Sequence, residues 1–204
     1  MNELQKRRVK TVLKYTWPIY LVSAVAVGFG LHFIFGLTHK MPRHQQLTIF
    51  LSGIAKDEDQ LSKDILDKYQ DRELKSFHSI IANPEEGKSY FEKLTVPGYA
   101  TADILIIPDS VMKTLNAGYF SLEMSLSLIN EYFSSLETYS QDEKVYGVTL
   151  DKEKVQEYVY LPSETCYLFL NGNSANLGEY TLKDANKEHD TALRIVQEWG
   201  KHAV

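Results

Sequence analysis

Six histidines, one cysteine and 27 carboxylates are the side chains with which this 204-residue chain could hold a metal or move protons. None of His32, His39, His44, His78, His189 and His202 stands three or four residues from another beside a carboxylate. That is the helical spacing that holds zinc or iron, so the spacing gives no metal centre. Cys166, in the apolar run Cys-Tyr-Leu-Phe-Leu, has no partner for an intrachain disulfide and reads as a small core residue. The chain has no G-x-S-x-G, no phosphate loop and no G-x-G-x-x-G. No cofactor is expected. Among the carboxylates, Asp57-Glu58-Asp59 reads as a solvated helix start that complements the helix dipole. Asp103 and Asp109 are the candidates for acid–base work, for instance on carbohydrate. Such work needs two carboxylates facing each other across a cleft at about 5–10 Å.

The elements that must position these groups follow from hydrophobic periodicity. Leu47–Leu51 is a compact apolar run, a buried strand ending at Ser52-Gly53. Leu61, Ile65, Leu66 and Tyr69 then recur at helical spacing. Leu74–Ala82 reads as a second strand closed by Asn83-Pro84, and a short helix over Glu85–Leu94 stops at Pro97-Gly98. Ala102–Pro108 is the clearest buried strand. Ser121–Phe133 reads as a helix, with a strand as the alternative; Val145–Leu150 and Cys166–Leu170 read as strands, and Asp190 caps a last helix. Strands alternating with helices predict an α/β fold, a mainly parallel sheet with helices on both faces. Ligands of such sheets sit at the carboxyl ends of the strands. The candidate ligand-binding residues are therefore Ser52, Gly53, Asn83, Asp109 and Ser110, with Tyr119, and with Asn171 at the head of the polar run Asn171–Asn176. A simple turn is the plainer reading of that run.

Charge divides the chain. Residues 1–14 hold five basic groups against Glu3, residues 15–37 hold no Asp, Glu, Lys or Arg, and residues 38–204 hold 17 basic against 26 acidic groups, a net of −9. An acidic segment of this kind disfavours nucleic acid, whose phosphates need a basic face. The uncharged stretch predicts a transmembrane anchor over 15–37, preferred to a signal peptide cleaved after Ala24-Val25-Ala26. The basic excess before it places 1–14 in the cytoplasm and, past a connector at 38–45, an α/β domain at 46–204 outside the cell membrane. Ala24, Ala26, Gly28 and Gly30 are small residues that permit close approach of another membrane helix.

The order of elements, with Ala102-Asp-Ile-Leu-Ile-Ile-Pro108 as third strand and Asp109-Ser110-Val111 after it, resembles the first lobe of bacterial extracytoplasmic solute-binding proteins of the ABC-transporter type. Val145–Val148 and Tyr167–Asn171 resemble the strands by which those proteins cross their hinge. The resemblance covers residues 46–175. It departs from the family in leaving only 33 residues after Asn171, too few for a second lobe. It implies a one-lobe binding or accessory protein, not an enzyme, whose partner is the membrane and another integral membrane protein such as a transporter permease. The alternative is an enzyme acting on envelope carbohydrate.

Overall fold

The computed structural model describes residues 3–38, 41–181 and 186–203. The chain divides into two units, Met1–Met41 and Pro42–Val204. His39 and Lys40 of the expected connector lie outside the described residues.

The first unit is helix α1, Glu3–Thr38. Among the described residues no helix is long and apolar enough to cross a membrane, which corrects the expected transmembrane anchor over 15–37. The helix begins at Glu3, so Pro18 is interior to it and not in its first turn. Tyr15, Thr16, Trp17, Tyr20 and Ser23 spread polar groups along the described part of the stretch. The side chains of His32–Thr38 lie outside the described ones. The expected single-pass placement, with a cytoplasmic N-terminus and an extracytoplasmic domain, rested on that span and falls with it. The expected packing on Ala24, Ala26, Gly28 and Gly30 presupposed the same span; within this chain a side chain at Gly28 or Gly30 would meet nothing within 4 Å.

The second unit is α/β. In chain order it holds β1 (Gln46–Ser52), β2 (Ile54–Ala55), α2 (Glu58–Lys68), β3 (Ser76–Ala82), α3 (Lys88–Lys93), α4 (Tyr99–Thr101), β4 (Ile104–Pro108) and α5 (Asp109–Met112). There follow α6 (Leu126–Leu128), β5 (Thr138–Gln141), β6 (Lys144–Thr149), β7 (Val159–Tyr160), β8 (Cys166–Leu170) and α7 (Thr191–Trp199). Six strands form one sheet in the order β3-β1-β4-β8-β6-β5, and β2 pairs with β7 in a small separate ribbon.

The sheet is mixed, not mainly parallel. β3, β1 and β4 are parallel, as their helical crossovers demand. β8 runs antiparallel to both β4 and β6, and β5 antiparallel to β6. Asp142 and Glu143 both adopt left-handed backbone angles, φ 51° and 64°, the geometry of a tight hairpin, so β5 and β6 must reverse direction.

Alternation along the strands divides the core between the two faces. Leu47, Ile49, Leu51, Ile104, Ile106, Leu168 and Leu170 pack with Leu61 and Ile65 of α2 and with Leu193, Ile195, Val196 and Trp199 of α7. Phe50, Leu105, Ile107 and Phe169 point the other way, onto Tyr90, Leu94, Val111 and Met112. Asp57 caps α2 by accepting a hydrogen bond from the Gln60 N–H. Two expectations for helices are corrected. Pro97-Gly98 does not stop the chain's third helix, which widens over Leu94–Gly98 and continues to Thr101. Over 121–133 only Leu126–Phe133 is helical, beginning at a cap by Ser125.

Candidate functional site

The carboxyl ends of β1, β3 and β4 open onto a groove of about 440 Å³ lined by Gly53, Ile54, Asn83, Glu85, Ser110, Tyr160 and Glu164, among others. Parallel strands bring these ends together because all three point the same way. Gly53 is required by close approach: a Cβ there would stand 2.5 Å from the Tyr160 carbonyl oxygen and 2.7 Å from Val159 Cγ1. That contact seats the β2–β7 ribbon, and with it Tyr160, at the groove's rim. Asn83 caps the turn Pro84–Glu86 by accepting from the Glu85 N–H. Glu164 accepts from both the Ser110 N–H (2.7 Å) and the Ser110 hydroxyl (2.6 Å).

The remaining expected residues divide. Ser52 is fully buried and does not line the groove; its hydroxyl donates to the Ile106 carbonyl at 2.6 Å and lies 2.7 Å from the Tyr90 hydroxyl. Burial raises the Tyr90 phenol, so this pair is neutral throughout the physiological range. Asp109 sits beside the groove. Its carboxylate is paired with Lys113 at 2.8 Å and accepts from the Tyr167 hydroxyl, and the hydrogen bond from Lys113 holds its carboxyl below the usual range. Tyr119 is 86% exposed and is not among the groove residues.

Asn171 lies at the opposite edge. β8 runs antiparallel to β4, so its last residue is Leu170 opposite Ile104, at the amino end of β4. There Asn171 donates to the carbonyls of Tyr99 and Ala102, both at 2.8 Å. The same edge buries Asp103, whose carboxylate accepts from the Thr48 N–H, the Ser174 hydroxyl and the Asn176 amide. Burial pushes the Asp103 carboxyl up, against the pull of these hydrogen bonds. A smaller cavity of about 230 Å³ adjoins it. The network pins the 171–176 turn to the sheet.

No protein-family model, no curated protein and no solved structure matches the chain.

Sequence reading missed Ile54, Glu85 and the whole Tyr160–Glu164 stretch. Tyr160 and Glu164 belong to a stretch without periodicity; the pairing of β7 with β2 brings Tyr160 to the groove, and Ser110 holds Glu164 there. The metal reading also needs amending. Among the described residues, His44, Glu73 and His189 bring potential ligand atoms within 4.8 Å of one another. Spacing could not show this, because the three lie on three separate turns.

Proposed function

We propose that the 42–204 unit is a recognition module that binds a small neutral or cationic polar solute without converting it. The groove at the carboxyl ends of β1, β3 and β4 is the observation that carries this reading. Its lining combines the apolar bodies of Ile54, Tyr160 and Leu161 with hydrogen-bonding groups of Asn83, Ser110 and Ser163. Glu85 and Glu164 are among those lining residues and no Lys or Arg is, so the formal charge of the lining is negative. Lys56 already sits 4.3 Å above the Tyr160 ring, an example of a cation on that surface.

The alternative, carbohydrate cleavage by Asp103 and Asp109, is disfavoured by their placement. They flank opposite ends of β4, and at about 3.3 Å per residue they stand about 20 Å apart, well beyond the 5–10 Å that such a pair needs. The resemblance to a solute-binding lobe adds a protein partner to the proposal, an integral membrane protein such as a transporter permease; copurification in mild detergent tests that part.

Isothermal titration of the full chain against small sugars, amino acids and polyamines tests the solute site. The expected result is a binder recovered chemically unchanged, weakened at least about tenfold by Tyr160→Ala. Conversion of the solute, or binding indifferent to both Tyr160→Ala and Asn83→Ala, overturns the reading.

A further inference from the structure

At the amino edge of the sheet, three turns meet. His44 belongs to the turn Arg43–Gln45 that enters β1. Glu73 ends the turn Gln70–Arg72 after α2. His189 immediately precedes Asp190, the cap residue of α7. The imidazoles of His44 and His189 stack with ring centroids 3.7 Å apart and planes 4° from parallel. His44 Nε2 lies 3.6 Å from Glu73 Oε2. We propose that His44, Glu73 and His189 form a binding site for a divalent transition metal of the zinc type, which clips these three turns together.

The scaffold holds the ligands from one residue away. Arg72, next to Glu73, is bonded at 3.1 Å to the buried carboxylate of Asp190, next to His189. Arg194 fastens the same carboxylate from α7 at 2.9 Å. The Lys75 N–H donates to the Gln45 carbonyl at 2.9 Å, tying the His44 turn to the chain just beyond Glu73. The His189 carbonyl accepts from the Gly178 N–H at 2.8 Å. Ligand positions fixed by neighbouring bonds are what distinguishes a built metal site from a chance meeting of side chains. Glu73 also holds a left-handed backbone, φ 61°, a conformation that residues other than glycine adopt at a cost.

The donor set suits the ion. Two imidazole nitrogens and one carboxylate oxygen with an open fourth position match zinc, with copper and nickel as competitors. Metal binds the neutral form of imidazole. Bonds of about 2.0–2.1 Å put the donor atoms of a tetrahedral site about 3.3 Å apart. From their present separations, within 4.8 Å, the closure is a matter of side-chain rotation. The parallel rings must tilt so that their lone pairs converge, and His189 must exchange its 3.4 Å contact with the Asn186 amide for the metal.

The test uses the full chain, stripped with chelator and titrated with Zn²⁺ alone against a chromogenic competitor. One equivalent is expected to bind at micromolar affinity or tighter, with about a hundredfold loss in His44→Gln and in His189→Gln and about a tenfold loss in Glu73→Gln. His78→Gln, on β3, is the control and should bind as the parent does. Zinc should also raise the thermal unfolding midpoint of the parent and not that of the His44→Gln/His189→Gln double variant. Should a variant fail to fold, diethyl pyrocarbonate labelling of the parent gives the same answer, since zinc should protect His44 and His189 and leave His78 reactive. Binding below one-tenth of an equivalent at about 100 µM Zn²⁺, or equal binding by parent and double variant, or equal labelling of the two histidines with and without zinc, overturns the proposal.

Discussion

Replacing Asp103 with alanine separates a structural role for this carboxylate from a chemical one. In the native fold its oxygens accept from the Thr48 N–H at 2.8 Å, the Ser174 hydroxyl and the Asn176 amide at 3.3 Å. Asp103→Ala leaves the part-buried Thr48 N–H and the buried Ser174 and Asn176 donors without this acceptor, at about 1 kcal/mol each at the low end, so about 3 kcal/mol in all. Two effects oppose this. The variant no longer buries a carboxylate, and water can enter from the adjoining cavity of about 230 Å³ to meet the freed donors. A net loss of about 2 kcal/mol is expected from urea unfolding at neutral pH. The pH dependence carries a sign. The folded state raises the Asp103 pKa above 3.8, so it holds the proton more tightly than the unfolded chain does. The stability this contributes is complete below about pH 3.8 and lost as pH rises through the raised value, so the deficit of the alanine variant should grow as pH falls. Hydrogen exchange locates the effect: the amides of Asn173, Ser174 and Asn176, which the 171–176 turn protects, should open first. A loss below about 0.5 kcal/mol, with exchange at those amides unchanged, would refute the assignment of Asp103 as the pin of this turn.

Three further outcomes follow from close contacts elsewhere. Gly53→Ala places a Cβ 2.5 Å from a backbone carbonyl that cannot rotate away, so it should cost about 2 kcal/mol and raise exchange in β2 and β7, as thermal unfolding and hydrogen exchange would show. Ser52→Ala deprives the buried Tyr90 hydroxyl of its partner and should cost about 1–2 kcal/mol in urea unfolding while leaving solute binding at the groove intact. Cys166 is fully buried and its thiol is pushed up to about 11 by burial, so at pH 8 it is neutral and shielded. Ellman's reagent should therefore react with the native chain at least about a hundredfold more slowly than with the chain in denaturant, and equal rates would contradict its burial.

Periodicity carried the local half of this structure. The alternation in Gln46–Ser52 and Ile104–Pro108 assigns each side chain to one face of the sheet, and the cap at Asp57 and the apolar face of Thr191–Trp199 are likewise properties of neighbouring residues. The helical crossovers among the first three strands made their parallel pairing readable, and with it the gathering of Gly53, Asn83 and Ser110 at one edge. A charge-free stretch is also a local property, but crossing a membrane needs sustained apolarity, and among the described residues Tyr15, Thr16, Tyr20 and Ser23 interrupt it.

What the chain does between distant segments belonged to the tertiary structure alone. Strand direction in the second half depends on the connections, here a hairpin at Asp142-Glu143 and a return without a crossover helix, and not on the strand sequences themselves. That reversal sends Asn171 to the amino edge while Ser110 stays at the carboxyl edge, and so splits a site that strand ends alone had joined. His44, Glu73 and His189 lie on turns whose sequences have no common period. They meet because the sheet and the Arg72–Asp190 ion pair close loops over long stretches of chain, and no window of neighbouring residues records where those loops close.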